Sequence, residues 1–204
     1  MTPNREITKA ARASLAGQWG WAALGSFIYF GVTGGVSFVP LEPWVSGLLG
    51  VVVTAPMVLG FYAFVLALQS PEKASLGRLF DGFDGFRRFG TAVAGYFLMT
   101  LFILFWMLLL VVPGLIAMYS YALTFWILAE EPEAGPLEAI SRSNALMRGH
   151  RWQLFRLYWH FAGWFLLSVL TLGIGFFWLF PYVMMSTAEF YRQLKEENGV
   201  ALMA

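Results

Sequence analysis

The stretch FGTAVAGYFLMTLFILFWMLLLVVPGLIAMYSYALTFWILA, Phe89 to Ala129, runs for 41 residues without a charge. As one helix at about 1.5 Å per residue it would extend about 60 Å, twice the roughly 30 Å hydrocarbon thickness of a bilayer. A chain that keeps this run in an apolar medium has to fold it back on itself. Val112-Pro113-Gly114 offers the chemistry of a reversal, because proline removes a backbone donor and glycine accepts a positive φ. The expectation is a helical hairpin with legs Phe89 to Val112 and Leu115 to Ala129. The second leg is shorter than the roughly 20 residues that usually span, so a shallow leg that does not fully cross stands as the alternative.

Working outward, further apolar segments run from Trp19 to Val39, Trp44 to Leu68, Gln153 to Leu172 and Ile174 to Phe190. The last two meet at Gly173-Ile174-Gly175, a second glycine joint with no hydrophilic loop. Six crossings result, arranged as three helical hairpins: an all-α polytopic membrane protein with amphipathic cytoplasmic helices. The composition agrees, at 59% hydrophobic, 18% aromatic and 12% charged, about half the charge of an ordinary soluble domain. The expected layout is one membrane domain over 1–204: an interfacial helix at 3–17, hairpins at 19–69, 89–129 and 152–191, cytoplasmic connections at 70–88 and 130–151, and a tail at 192–204. No cleavage site is read after the N-terminal helix, so the first apolar segment is expected to serve as an uncleaved anchor.

Charge placement sets the orientation. The thirteen basic residues are Arg5, Lys9, Arg12, Lys73, Arg78, Arg87, Arg88, Arg142, Arg148, Arg151, Arg156, Arg192 and Lys195. A six-span threading puts all of them on one side, with Arg5, Lys9, Arg12, Arg87 and Arg88 flanking the first and third spans. The opposite side carries the single charge Glu42. By the positive-inside rule both termini are expected on the cytoplasmic side of a plasma membrane. Glu130, Glu131 and Glu133 read as a solvated turn, and Glu189 is expected to pair with Arg192 or Arg156.

The polar segments have their own pattern. In Pro3 to Gly17, Ile7, Ala11 and Leu15 share one helix side, while Arg5, Lys9 and Arg12 share another. That suits a helix in the membrane interface, or one packed on its own bundle. Thr2 is the expected cap and Gly17 the stop. SRSNALMRGHRWQLF, Ser141 to Phe155, belongs to a second such helix, from Pro136 to a stop at Gly149. Ile140, Ser143, Leu146 and Met147 lie on one side of it, and Glu138 and Arg142 pair at i, i+4. LFDGFDGFRRFG, Leu79 to Gly90, carries two Asp-Gly turns; Asp81 and Asp84 lack the further oxygen ligands of a cation loop. The three units share a layout of basic segment, apolar leg, break and second leg. Ser70-Pro71-Glu72 aligns with Glu131-Pro132-Glu133.

Several of these stretches resemble a known family. FRRFGTAVAGYFLMTLFILFWMLLLVVPGLIAMYSYALTFWILAEEP, then LEAISRSNALMRGHRWQLF, then FAGWFLLSVLTLGIGFFWLFPYVMMSTAEFYRQL are similar to the bacterial integral-membrane family catalogued as domain of unknown function 975. KAARASLAGQWGWA looks like its start. The most specific elements are Pro113-Gly114, Ser143 to Trp152 and Leu172 to Tyr182. The resemblance implies a polytopic helical protein and supplies no activity, substrate or catalytic residue. The order of these elements is also similar to membrane domains attached to some glycerophosphodiester phosphodiesterases, whose catalytic part is elsewhere.

Chemistry is sparse. The chain has no cysteine, and His150 and His160 lack the spacing and carboxylate company of a zinc site. No charged residue falls in the middle of a span, where transporters and proton relays place one. Near-neutral balance, thirteen basic against twelve acidic residues, argues against a nucleic-acid binder. No cofactor, metal or catalytic set is expected. Arg142, Arg148, Arg151, Arg156 and His160 are the candidate contacts for anionic lipid headgroups, with Arg156 and His160 sharing one helix face. Trp19, Trp21, Trp44, Trp126 and Trp152 fall near span ends as an aromatic belt. Gly31 and Gly35 form one GxxxG, and Gly47, Gly50 and Gly60 give the second span a small face for helix packing. The expected function is a non-enzymatic, lipid-associated scaffold or accessory subunit. Its partners would be membrane lipids and a second copy or a membrane complex. The alternative is a transporter or pore-forming oligomer.

Overall fold

Proline and glycine punctuate the chain, and helices begin and end beside them. In the computed structural model, residues 3–40, 42–70 and 75–203 are described; Thr2, Pro71, Glu72 and Lys73, which the sequence reading used, lie outside them. The described residues form helices joined by turns, with no strand among them. Helix α1, Asn4–Ser14, follows Pro3 in extended conformation, and Gly17 with φ +80° ends the turn after it. Helix α2, Trp19–Gly35, runs into a short 3-10 turn at Val36–Phe38, and α3, Pro43–Leu68, starts on a proline. A 3-10 segment at Leu76–Phe83 leads into α4, Gly85–Leu109. Then come α5, Val111–Ser120, α6, Thr124–Glu130, and α7, Pro136–Leu146. The chain closes with α8, Arg151–His160, α9, Ala162–Leu170, and α10, Phe176–Met203. The expected helix start at Pro136 is found; the helix ends at Leu146, and Gly149, with φ +82°, lies in the turn that follows.

Three helix pairs pack as hairpins: α2 with α3, α4 with α5, and α9 with α10. Among the described residues, three stretches are long and apolar enough to cross a membrane: Pro43–Leu68, Gly85–Leu109 and Val111–Glu130. Of the six segments expected to span, the other three fall short of this as single helices, for local reasons. Helix α2 has 17 residues, the fifth segment is divided at Phe161 into α8 and α9, and α10 carries Glu189 and Arg192 within its length. The questioned leg after Pro113 is nevertheless long enough, because α5 and α6 follow one another as a kinked 20-residue path.

The reversal in the second hairpin is not at Pro113-Gly114. It occurs at Leu110, which is extended (φ −161°, ψ 141°) between α4 and α5. Pro113 sits in the first turn of α5, where a missing N–H costs nothing. Gly114 serves close packing: a Cβ there would lie 2.9 Å from the Cα of Met107. In the third hairpin, Gly173 does provide the turn, with φ +91°, beside Leu172 at φ +53°. Gly175 instead lets the backbone approach Ser168, where a Cβ would come within 2.8 Å of its Cα.

Helix α1 is packed on its own bundle. Its side of Ile7, Ala11 and Leu15 is fully buried, against α10 and α8, while Arg5, Lys9 and Arg12 stay exposed. The hydroxyl of Tyr182 on α10 donates to the carbonyl oxygen of Thr8, and the amide of Asn4 to that of Gln153. The 3-10 segment lies backbone-on-backbone along α3, where a Cβ on Gly82 would come within 2.7 Å of Pro56 and one on Gly60 within 2.5 Å of Leu79. Gly60 is thus small for a loop, not for another helix. Among the described residues, Gly31, Gly35, Gly47 and Gly50 have nothing within 4 Å of where a Cβ would stand, so the GxxxG makes no close helix contact there.

The buried core includes Leu59, Phe61, Phe64 and Leu68 of α3, Trp126 and Ile127 of α6, Leu154 and Leu157 of α8, and Met185, Phe190 and Leu194 of α10. Full burial of each aliphatic or phenylalanine side chain contributes roughly 1.5–3 kcal/mol. This core lies towards the charged connections. The hairpin tips are the reverse: Phe38, Leu108 and Leu172, one near each tip, are 88%, 88% and 95% exposed.

Candidate functional site

The charged connections are tied together at one end of the bundle. At the C-terminal end of α6, Glu130-Glu131-Pro132-Glu133 extends three carboxylates to partners on three other helices. Glu130 accepts hydrogen bonds from the Tyr191 hydroxyl and the Lys195 ammonium, both on α10 and both at 2.7 Å. Glu131 accepts two from the Arg142 guanidinium on α7, at 2.6 and 2.8 Å. Glu133 pairs with Arg87 at the start of α4. Three acids that read as a solvated turn therefore link α4, α6, α7 and α10. The expected Glu138–Arg142 pair is present at 3.6 Å, secondary to the bidentate contact with Glu131.

The electrostatics follow from this geometry. The hydrogen bonds from Arg142 hold the Glu131 carboxyl below the usual range, and the same contact pushes Arg142 up. Burial, and then the hydrogen bond to Glu130, pushes the Tyr191 hydroxyl up. Glu189 is almost wholly buried and is held by Arg192 at 2.8 Å, one of the two partners expected for it, and that contact raises the Arg192 guanidinium. Asp81 lies 3.6 Å from Arg78 and 4.0 Å from Arg88.

A buried serine holds α7 to the kink between α5 and α6. The break at Tyr121-Ala122-Leu123 leaves backbone groups that the helix would otherwise pair. Ser143 satisfies two of them: its hydroxyl donates to the Ser120 carbonyl at 2.8 Å and accepts from the Leu123 amide at 3.1 Å. Ser143 is fully buried, as its place on the apolar side of α7 suggested.

The five candidate headgroup contacts separate into different environments. Arg142 is held by Glu131, and Arg151 is part-buried with its guanidinium donating to the Asn144 side chain at 2.9 Å. Arg148 is exposed just before Gly149. Arg156 and His160 share one exposed side of α8, and with Trp152, Phe155 and Trp159 they line an open depression. Rings stack along it, Trp152 on Phe155 at 4.8 Å and Phe155 on Trp159 at 6.0 Å. The opposite side of α8, Leu154 and Leu157, is fully buried, which fixes the strip outward. Sequence reasoning picked Arg156 and His160 from their spacing. It missed the tryptophan pairing because Trp159 lies inside an apolar run, and it missed Glu130, Glu131 and Lys195 as a group because their partners are distant in sequence.

No curated protein and no solved structure matches the chain. A family model does match, over residues 107–198. The matched region contains Pro113-Gly114, Ser143 to Trp152 and Leu172 to Tyr182, and with them the α4–α5 reversal, the Ser143 contact, the ion pair of Arg142 and the third hairpin; the N-terminal stretch from Lys9 and the residues up to Trp106 lie outside it. Over this segment the chain is similar to the family described as Protein of unknown function (DUF975).

Proposed function

We propose that the protein is a non-enzymatic, polytopic protein of the bacterial inner membrane that acts as a lipid-associated scaffold or accessory subunit of a membrane complex. In this reading the three hairpins cross six times, with both termini and all the basic segments on the cytoplasmic side. The observation that carries it is the polarity of the bundle: ion-paired connections and a packed core at one end, and apolar hairpin tips, exposed at Phe38, Leu108 and Leu172, at the other. Contiguous apolar surface of that extent is stable against hydrocarbon and not against water. The strip of Trp152, Arg156, Trp159 and His160 would then lie at headgroup level, with indoles in the interface and cations towards phosphates.

Single cysteines test the threading, since the chain has none of its own. A cysteine at Glu42 is expected to react with an impermeant maleimide outside intact cells, and cysteines at Ser75 and Ser141 only after lysis. External reaction at Ser141 would contradict the six-span arrangement. A transporter or pore-forming oligomer is the second reading, favoured by the open faces at Gly31, Gly35, Gly47 and Gly50, which could seat another copy. Protein-dependent flux of a lipid or small solute in reconstituted vesicles would select it over the scaffold.

A further inference from the structure

Between α1, the start of α2, α9 and α10 lies a groove of about 410 Å³, within the usual range of a small-molecule site. Its walls are apolar: Trp19, Trp164, Leu167, Trp178 and Leu179 line it. Trp164 and Trp178 remain about half exposed, at 59% and 51%, so the groove opens sideways. Its lining hydroxyl groups are already satisfied within the protein, and its one charged lining group is the exception. Ser168 donates to the Trp164 carbonyl, and Thr171 donates to the Ser168 carbonyl and accepts from the Gly175 amide. Tyr182 donates to the Thr8 carbonyl.

The exception is Arg12. It is exposed, lines the groove from α1, and forms no ion pair or hydrogen bond among the described residues. Along α10 the groove passes from Tyr182, beside α1, to Gly175 near the hairpin turn, seven residues or about 10 Å of helix rise. A single unpartnered cation at one end of an otherwise apolar channel is complementary to an amphiphile with an anionic head and a hydrocarbon chain. Resting on the membrane reading above, we propose that this groove holds one anionic phospholipid, its phosphate at Arg12 and part of an acyl chain along Trp19, Trp164, Leu167 and Trp178. This site is separate from the α8 strip of Arg156 and His160, which shares no lining residue with it.

The test is native mass spectrometry of the full-length, detergent-purified protein titrated with phosphatidylglycerol or phosphatidylcholine. The wild type is expected to retain one phosphatidylglycerol in preference to phosphatidylcholine. Arg12→Ala should weaken that retention about five-fold, Arg12→Lys should restore most of it, and Leu167→Trp, which fills the groove from an exposed position, should weaken both lipids. Arg156→Ala with His160→Ala should leave the one-lipid complex in place. If Arg12→Ala has no effect while the Arg156/His160 variant abolishes phosphatidylglycerol retention, the groove assignment is overturned and the lipid-associated reading stands. Absence of any lipid preference in the wild type overturns both. If Leu167→Trp changes only the oligomeric state in light scattering, the groove seats a second copy and the lipid assignment fails.

Discussion

Arg142 grips Glu131 with both guanidinium branches, at 2.6 and 2.8 Å, across eleven residues that include the start of α7. The pair closes the turn after α6 onto α7 and so fixes how the second hairpin meets the next polar helix. Both side chains remain close to 40% exposed, so its strength is that of a well-formed surface pair and not of a buried one.

A double-mutant cycle with Arg142→Ala and Glu131→Gln is therefore expected to give a coupling of about 0.5–1 kcal/mol, read from thermal unfolding in detergent. The pH dependence has a definite sign. Because the folded Glu131 carboxyl titrates below its unfolded range, its contribution is complete above that range and is lost as pH falls through the lowered folded value. The stability gap between wild type and Glu131→Gln should narrow on acidification from about pH 7 to about pH 3. A gap that widens would assign the pair no stabilising role.

Ser143→Ala should cost about 1–3 kcal/mol, because it removes the buried hydroxyl that satisfies both the Ser120 carbonyl and the Leu123 amide. The nearby exposed Ser141→Ala should change stability by less than about 0.5 kcal/mol. Thermal midpoints measured side by side decide between a structural serine and a merely tolerated one.

Gly114→Ala should destabilise the protein, by about 1–3 kcal/mol as an overpacked contact, since the new Cβ meets Met107 backbone as well as side chain. Met107→Ala is expected to relieve only part of that loss, because the Met107 Cα remains in place. Gly31→Ala, in an α-helix with open space around it, should be neutral or stabilising by up to about 1 kcal/mol. Equal effects at the two glycines would refute the packing argument.

Arg192→Ala should be more damaging than Arg142→Ala. Glu189 has a side chain only 5% exposed, and removal of Arg192 leaves that carboxylate buried without its cation. A loss of about 2–3 kcal/mol is expected, below the figure for a fully buried pair because the guanidinium is itself half exposed. The double variant Arg192→Leu, Glu189→Gln should recover part of the stability in the same unfolding assay.

Much of the fold was legible because apolar length and helix punctuation are local properties. The hairpin of Phe89 to Ala129 followed from its length, and the helix start at Pro136 and the turns at Gly149 and Gly17 from side-chain chemistry. The location of the reversal was not legible: Pro113-Gly114 carries the strongest turn signal, yet the turn is at Leu110, because proline is equally at home in a first helical turn and glycine in a close contact. Likewise the basic side of α1 could be read, but its apolar side suited a membrane interface and a protein core equally, and only its burial beneath α10 distinguished them.

The same division holds for the candidate sites. The sequence alone determined an all-helical chain, the placement of its charges between apolar runs, and the shared helix face of Arg156 and His160, since periodicity and charge distribution are encoded within one helix. The tertiary structure decided which charges are neutralised across helices, Arg142 by Glu131 and Lys195 by Glu130, with Arg12 left at the mouth of an apolar groove. Pairing depends on distance in space, and residues 65 apart in sequence, such as Glu130 and Lys195, come within 2.7 Å only when the third hairpin packs against the second.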